Sequence, residues 1–414
     1  MNAEILCIGT EVLIGDIVNT NAAYLGKRLS ETGFNVYYHT VCGDNPARMT
    51  ECMQLALSRS DLVFITGGLG PTYDDITKEV AAKLFGLPLV EHPEILERLQ
   101  AYFASRGRVM TDNNRKQALL PQGAHIFENR FGTADGLAVT DGKKTLILMP
   151  GPPREMRPML ENEVLPYLAA KSDHVLVSSN VNIFGMGESA VESALADFMK
   201  TSENPTVAPY IGEGEVRLRV SARAENAKKA RELIAPTVEK IRATLGNAVY
   251  GVDAPSLESV LVEKLKAAHK TVAFAESCTG GLIAKRMTDV PGASEVFGFG
   301  FVTYANEAKM KLLGVSPETL EAHGAVSPET ACEMARGAKR VSGADIAVSV
   351  TGIAGPTGGT PEKPVGLVYM GVASDSGVQT HKLMLGGHAS SDRAFIRTLT
   401  ANHAFKAVLD LLAD

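Results

Sequence analysis

The C-terminal third holds a serine and a lysine whose types suit hydrolysis of an amide or ester. Ser294 lies in Pro291-Gly292-Ala293-Ser294-Glu295, and Lys309 closes the run Gly300-Phe301-Val302-Thr303-Tyr304-Ala305-Asn306-Glu307-Ala308-Lys309. A serine hydroxyl attacks a carbonyl only when a positioned base takes its proton. This stretch contains no histidine, so no Ser-His-Asp arrangement is visible locally; a desolvated lysine can be the base if burial or neighbouring dipoles lower its pKa towards neutrality. Tyr304 is placed to relay or orient. A second nucleophile is open at this level: Cys278, at a helix start, would have a stabilised thiolate. The plainer reading of Ser294 is a cap and of Lys309 a solvated cation.

Glycine-rich loops after strands supply the other chemistry, because backbone N–H groups and a helix N-terminus together cradle anions. Two such loops lie in this region: Glu276-Ser277-Cys278-Thr279-Gly280-Gly281, and Thr351-Gly352-Ile353-Ala354-Gly355 continuing to Gly359. With Asn306 they suggest one nucleotide-sized pocket, and Arg393 or Arg397 is the cation expected to meet a phosphate. The N-terminal third has a third loop, Gly67-Gly68-Leu69-Gly70-Pro71-Thr72-Tyr73-Asp74-Asp75, and a fourth, Pro150-Gly151-Pro152-Pro153-Arg154-Glu155. Carboxylates beside glycines can hold a divalent cation against phosphate oxygens. Asp74, Asp75 and Glu155 are therefore candidate metal ligands, with Gly67, Gly68, Gly70 and Thr72 as the phosphate cradle. An ordinary glycine turn capped by Asp75 is the alternative.

These loops need a frame, and the periodicity supplies an α/β one. Strands are expected at Glu4–Ile8, Asn35–Val41, Leu62–Thr66 and Thr145–Pro150, with amphipathic helices at Thr20–Thr32 and Arg48–Arg59. That alternation predicts a three-layer α/β/α domain with a mostly parallel sheet over residues 1–170. Residues 171–252 read as a small α+β unit with strands at 174–184 and 215–222 and helices at 189–201 and 227–245. Residues 256–414 restart as a second α/β domain, with a helix at 257–268 and strands at 271–275 and 345–350. The middle unit contains Gly212-Glu213-Gly214-Glu215, a G-x-x-G pattern like that of KH units that clamp single-stranded nucleic acid. Its glutamates sit where phosphates would approach, and Lys228, Lys229 and Arg231 share a helix with Glu225, Glu232 and Glu239. We therefore expect a connector or oligomerisation element, a homodimer, and no direct nucleic-acid contact.

Composition bounds the class. The 414 residues carry 41 Lys and Arg against 47 Asp and Glu, a net charge of −6, which argues against a broad basic surface for duplex DNA. Five cysteines without a C-x-x-C pair fit reduced thiols. The start, MNAEILCIGTEVLIG, reads as a strand and not a signal peptide. No run reaches the roughly 20 apolar residues of a membrane helix. A cytoplasmic protein is expected.

Taken in order, Gly9-Thr10-Glu11, Gly15-Asp16, Asn19-Thr20-Asn21, GGLGPTYDDIT and PGPPREM resemble the molybdopterin-binding-like domain of the CinA family over residues 1–170. That resemblance implies hydrolysis of ADP-ribose with a divalent metal (Mg2+ or Co2+) and K+. It places Asp75 at the acidic position of the related GG-x-G-x-x-x-x-D motif, and Asp44 is a second acid. A pterin or nucleotide binder without chemistry uses the same loops. AESCTGG, GFVTYANEAK, HGAVS and SVTGIAGPTGGTPEKPVG resemble the CinA C-terminal domain, the PncC type, over 256–414. Here the resemblance implies deamidation of nicotinamide mononucleotide (NMN), with Ser294 as nucleophile, Lys309 as base, Tyr304 assisting and Thr351 binding substrate or stabilising the oxyanion, and no cofactor. The segment Gly386–Arg393 is longer than the compact Gly-Asp-Arg expected of that family. A non-enzymatic accessory protein of competence or recombination is the rival from a different class.

Overall fold

A computed structural model describes residues 1–170, 175–212, 214–386 and 392–413. The N-terminal sheet is built from β1 (Asn2–Ile8), β2 (Asn35–Cys42) and β3 (Leu62–Thr66), then a ribbon of β4 (Leu89–Glu91) with β5 (Leu119–Pro121), then β6 (His125–Phe127), β7 (Gly136–Thr140) and β8 (Thr145–Met149). Six of these strands form one sheet in the order β2-β1-β3-β8-β7-β6. The first four run parallel, and β7 and β6 are antiparallel additions. Every residue of β3, Leu-Val-Phe-Ile-Thr, is buried, as expected of a central parallel strand covered on both faces. Asn19 and Asn45 cap the flanking helices Thr20–Glu31 and Pro46–Arg59 by accepting the Ala22 and Arg48 amides. Because β1, β2, β3 and β8 point the same way, the loops after Ile8, Cys42, Thr66 and Met149 emerge at one edge, where such sheets bind ligands.

The middle strands β9 (Val175–Phe184), β10 (Thr206–Ile211), β11 (Glu215–Ala224) and β12 (Val249–Val252) form a sheet in the order β10-β11-β9-β12. The G-x-x-G pattern is the hairpin turn between antiparallel β10 and β11; Glu213 lies outside the described residues. A hairpin turn donates its amides to its own strands. It is not the helix-linking loop that grips a phosphate backbone.

The C-terminal sheet comprises β13 (Val272–Glu276), β14 (Phe297–Val302), β15 (Ile346–Gly352), β16 (Leu367–Ser374) and β17 (Gly377–Met384), in the order β14-β13-β15-β16-β17. The first three are parallel; β16 and β17 add an antiparallel edge. The carboxyl ends of β13, β14 and β15 bring Ser277, Thr303 and the loop after Gly352 to one side of the sheet. Phe274 of β13 is fully buried, with its ring 5.8 Å from both Phe297 and Phe405. Phe274→Ala should destabilise this domain by about 3–5 kcal/mol, read as a lowered urea midpoint at unchanged slope.

Candidate active site

The base expected from the sequence meets a different serine. Lys309 is 1% exposed, and its Nζ lies 3.1 Å from Ser277 Oγ, 2.9 Å from the Thr303 carbonyl and 3.2 Å from the Tyr304 carbonyl. A carbonyl only accepts, so two N–H bonds of the amine are committed to Thr303 and Tyr304. The remaining position faces Ser277 Oγ. In an ammonium it is a third N–H; in a neutral amine it is the lone pair, and the Ser277 hydroxyl becomes the donor. Burial pulls the Lys309 pKa below its ordinary 10.5 and so favours the second state.

Strand polarity explains the pairing. Ser277 follows β13, and Lys309 follows β14, its parallel neighbour. The backbone ladder ties the two loops, since the Thr303 amide donates to the Glu276 carbonyl. Ser294 precedes β14. It sits exposed in the turn Ala293–Glu295, beside the surface ion pair of Lys266 with Glu295. At about 3.3 Å per residue, six-residue β14 puts roughly 20 Å between its two ends. The structure therefore does not bring Ser294 to Lys309.

Glu276 was expected to touch substrate, yet it is fully buried and its carboxylate accepts the amides of Gly281, Ile283 and Ala284. It caps the helix Leu282–Thr288 and fixes the turn carrying Ser277. Cys278 is buried, and burial pushes its thiol up to about 12, which disfavours the thiolate that a competing nucleophile needs. Thr351 follows the Val350 carbonyl that takes the Ser277 amide, and its own hydroxyl donates to the Ala325 carbonyl. Arg397 donates to the Thr279 carbonyl, while Arg393 donates to the Gly355 carbonyl and lies 3.4 Å from the Tyr304 hydroxyl. Both arginines thus flank the two glycine loops, around Thr279, Gly280, Gly281, Gly352 and Gly355. Asn306 is exposed at the start of the turn leading to Lys309. Residues 387–391, within the segment that departs from the family pattern, lie outside the described residues.

The N-terminal loops enclose a cavity of about 560 Å³ lined by Asp44, Gly67, Gly68, Gly70, Thr72, Asp74, Asp75, Gly151 and Glu155, among others. Gly67 has φ +107, and a Cβ there would sit 2.1 Å from the Ile8 carbonyl oxygen, so only glycine lets this loop pass the end of β1. The expected metal ligands do not form one set. Asp44 accepts the amide and hydroxyl of Thr10, and Glu155 accepts the Asn129 side-chain amide. Asp74 and Asp75 both reach the Thr72 hydroxyl, which has one proton for two carboxylates, and the Thr72 bond holds the Asp74 carboxyl below its usual range. Among the described residues no three His, Cys, Asp or Glu side chains gather as a metal-holding group. The Asp74–Asp75 pair alone fits a hard divalent cation whose remaining ligands are water and phosphate oxygens.

Comparison with known proteins places this architecture. Residues 4–170 match the probable molybdopterin binding domain, residues 178–251 the damage-inducible protein CinA KH domain, and residues 254–412 the CinA C-terminal domain. A putative competence-damage inducible protein of Acetivibrio thermocellus is 49% identical over 99% of this chain and 98% of its own. The chain belongs to the CinA family. A CinA-like protein of Kosmotoga olearia is 50% identical over the same shares of the two chains. The solved competence/damage inducible protein CihA of Agrobacterium tumefaciens is 44% identical over 39% of this chain and 98% of that one, with a TM-score of 0.36. Among the described residues of this CinA-family chain, no helix is long and apolar enough to cross a membrane.

What sequence reading missed at the C-terminal site was the serine that meets Lys309, although Ser277 had been placed in the anion cradle. The signal was available: in a parallel sheet, groups that meet must follow their strands, and Ser277 and Lys309 do. Two outcomes check this geometry. Glu276→Ala strips three amides of their acceptor and should cost at least about 3 kcal/mol of stability. Cys278 should resist iodoacetamide at pH 8 in the native protein and react only after unfolding, as read by mass spectrometry.

Proposed function

We propose that the C-terminal domain is a serine–lysine amidohydrolase that removes the carboxamide nitrogen of NMN, giving nicotinic acid mononucleotide and ammonia. The observation that carries this reading is the buried 3.1 Å contact between Ser277 Oγ and Lys309 Nζ. Neutral Lys309 takes the Ser277 proton as Oγ bonds to the carboxamide carbon. The resulting ammonium returns the proton to the departing nitrogen, which leaves as ammonia. Water then adds to the acyl–Ser277 ester with Lys309 again as base, freeing the acid and restoring the hydroxyl. Arg393 and Arg397, at the rim, are the cations for the 5′-phosphate. Both members of the dyad come from one chain, so the reaction stands whether or not the protein is the homodimer expected of it.

For the N-terminal domain we propose hydrolysis of the ADP-ribose pyrophosphate. The glycine loop would cradle the phosphates, and Asp74 and Asp75 are the residues that would hold a divalent metal, Mg2+ or Co2+, which when bound would supply charge neutralisation for the pyrophosphate; K+ belongs to the same proposal. The support is a nucleotide-sized cavity with a paired carboxylate in its glycine wall.

Ser277→Ala and Lys309→Ala should each lower ammonia release from NMN by about 10³-fold or more, while Ser294→Ala stays within about twofold. Turnover by Ser277→Ala at the wild-type rate would overturn the assignment. The active base is neutral, so kcat/KM should rise with pH through the Lys309 pKa, which burial holds below 10.5; a kcat/KM that falls steadily as pH rises from 6 to 10 contradicts it. Asp75→Ala should cut metal-dependent AMP formation from ADP-ribose by about 10²-fold and leave deamidation unchanged.

A further inference from the structure

Gly214 lies in the turn between β10 and β11, and a Cβ on it would overlap Cδ2 of Leu399 and come within 3.9 Å of the Asn402 side-chain amide. The turn therefore packs directly on the helix Arg393–Leu411. Gly214 also has φ +78, so any side chain there is strained as well as crowded. The next residue, Glu215, accepts the Tyr250 hydroxyl at 2.7 Å, which ties the end of the turn to β12. Burial raises the Glu215 carboxyl above its ordinary 4.5, against the opposing pull of Tyr250 and of Arg286. Arg286 in turn donates to both oxygens of Glu258, at 3.2 and 2.8 Å, and to Asn402 Oδ1 at 2.7 Å. A second contact comes from β9: its last residue, Phe184, is buried in the C-terminal core, with its ring 4.9 Å from that of His403. Residues Ser179–Ser221 and Leu233–Asp414 accordingly form one compact unit.

Arg393 and Arg397 are four residues apart on that helix and so share one side of it, where they donate to the Gly355 and Thr279 carbonyls of the two glycine loops. Leu399, two residues on from Arg397, lies about 200° further round the helix. The helix is thus held between the glycine loops on one side and the Gly214 turn on the other. We infer that Gly214 is a positioning residue for phosphate recognition: its turn backs the helix and sets where the two guanidinium groups stand. This rests on the reading that Arg393 and Arg397 hold the 5′-phosphate of NMN, and it deepens that reading by making the middle unit a working part of the deamidase. A turn spent on this contact is no longer free to grip nucleic acid.

The test is the kinetics of ammonia release from NMN by the full-length chain. A grip made equally on substrate and transition state sets KM and leaves kcat alone. Gly214→Ala and Leu399→Ala should each raise KM about tenfold with kcat within about twofold. Leu399→Met keeps the side-chain volume and should keep the wild-type KM. The two alanine variants remove opposite sides of one contact, so the double variant should be no worse than the poorer single. Hydrogen exchange in the peptide spanning residues 393–400 should quicken in both singles. If Gly214→Ala does not fold, Leu399→Ala against Leu399→Met decides. An unchanged KM in the alanine variants, a fall in kcat at unchanged KM, or a KM that multiplies in the double variant overturns the inference. If wild type binds NMN by calorimetry yet releases no ammonia, the deamidase reading falls, and NMN affinity then decides the inference: a tenfold loss in the alanine variants supports it, and an unchanged affinity overturns it. No binding of NMN by wild type overturns both.

Discussion

A lysine amine buried away from solvent, held by two backbone carbonyls and a serine hydroxyl, is the constraint on which the C-terminal domain turns. An unpaired ammonium in such a place is costly, and among the described residues no carboxylate bonds to Nζ; its partners are neutral oxygens. The environment therefore makes the proton easy to remove. The two carbonyls fix the direction of the remaining position, so the amine is aimed as well as activated. Much of the surrounding structure serves that aim: the ladder bond from Thr303 to Glu276 sets the spacing of the two loops, and the Glu276 carboxylate locks the turn that presents Ser277.

The two α/β domains solve the same positioning problem with different chemistry. In each, parallel strands end together and deliver short loops to one edge. The N-terminal domain fills that edge with glycine and aspartate, which suits a charged group held by a cation and by backbone amides. The C-terminal domain hides a lysine amine beneath its edge, in contact with a serine hydroxyl. The frame gathers the loops; the residues at the strand ends decide what they gather around.

The alternation of apolar runs with amphipathic stretches made the parallel strands readable, because fully buried strands such as Leu62–Thr66 are continuous hydrophobic runs bounded by loop residues. The helix at Ala227–Leu245 was equally legible from its charged face. The antiparallel edges β6, β7, β16 and β17 were not: strands such as β17, exposed along much of its length, carry no continuous apolar run. The lysine was singled out for its type and for the motif that carries it, and it is buried. The serine paired with it, Ser294, came with the family resemblance and lies at the other end of β14, while a serine inside a glycine loop was read only as part of an anion cradle. The metal ligands fared similarly. Asp44, Asp74, Asp75 and Glu155 share one cavity, but hydrogen bonds to Thr10 and Asn129 occupy two of them, and no sequence pattern announces such bonds.

The internal cap on the helix Leu282–Thr288 has one more consequence. A helix that opens directly after a glycine turn ordinarily offers its positive end to an incoming anion. Here a carboxylate of the protein itself already fills that end, so a nucleotide arriving at this edge meets a neutralised pole. The guanidinium groups of Arg393 and Arg397, on the helix Arg393–Leu411, stand beside the same glycine loops. In the reading proposed above, hold on the phosphate and attack on the carbonyl would then belong to separate parts of the polypeptide, so that a change in the grip on one end of the substrate need not disturb the bond-breaking at the other.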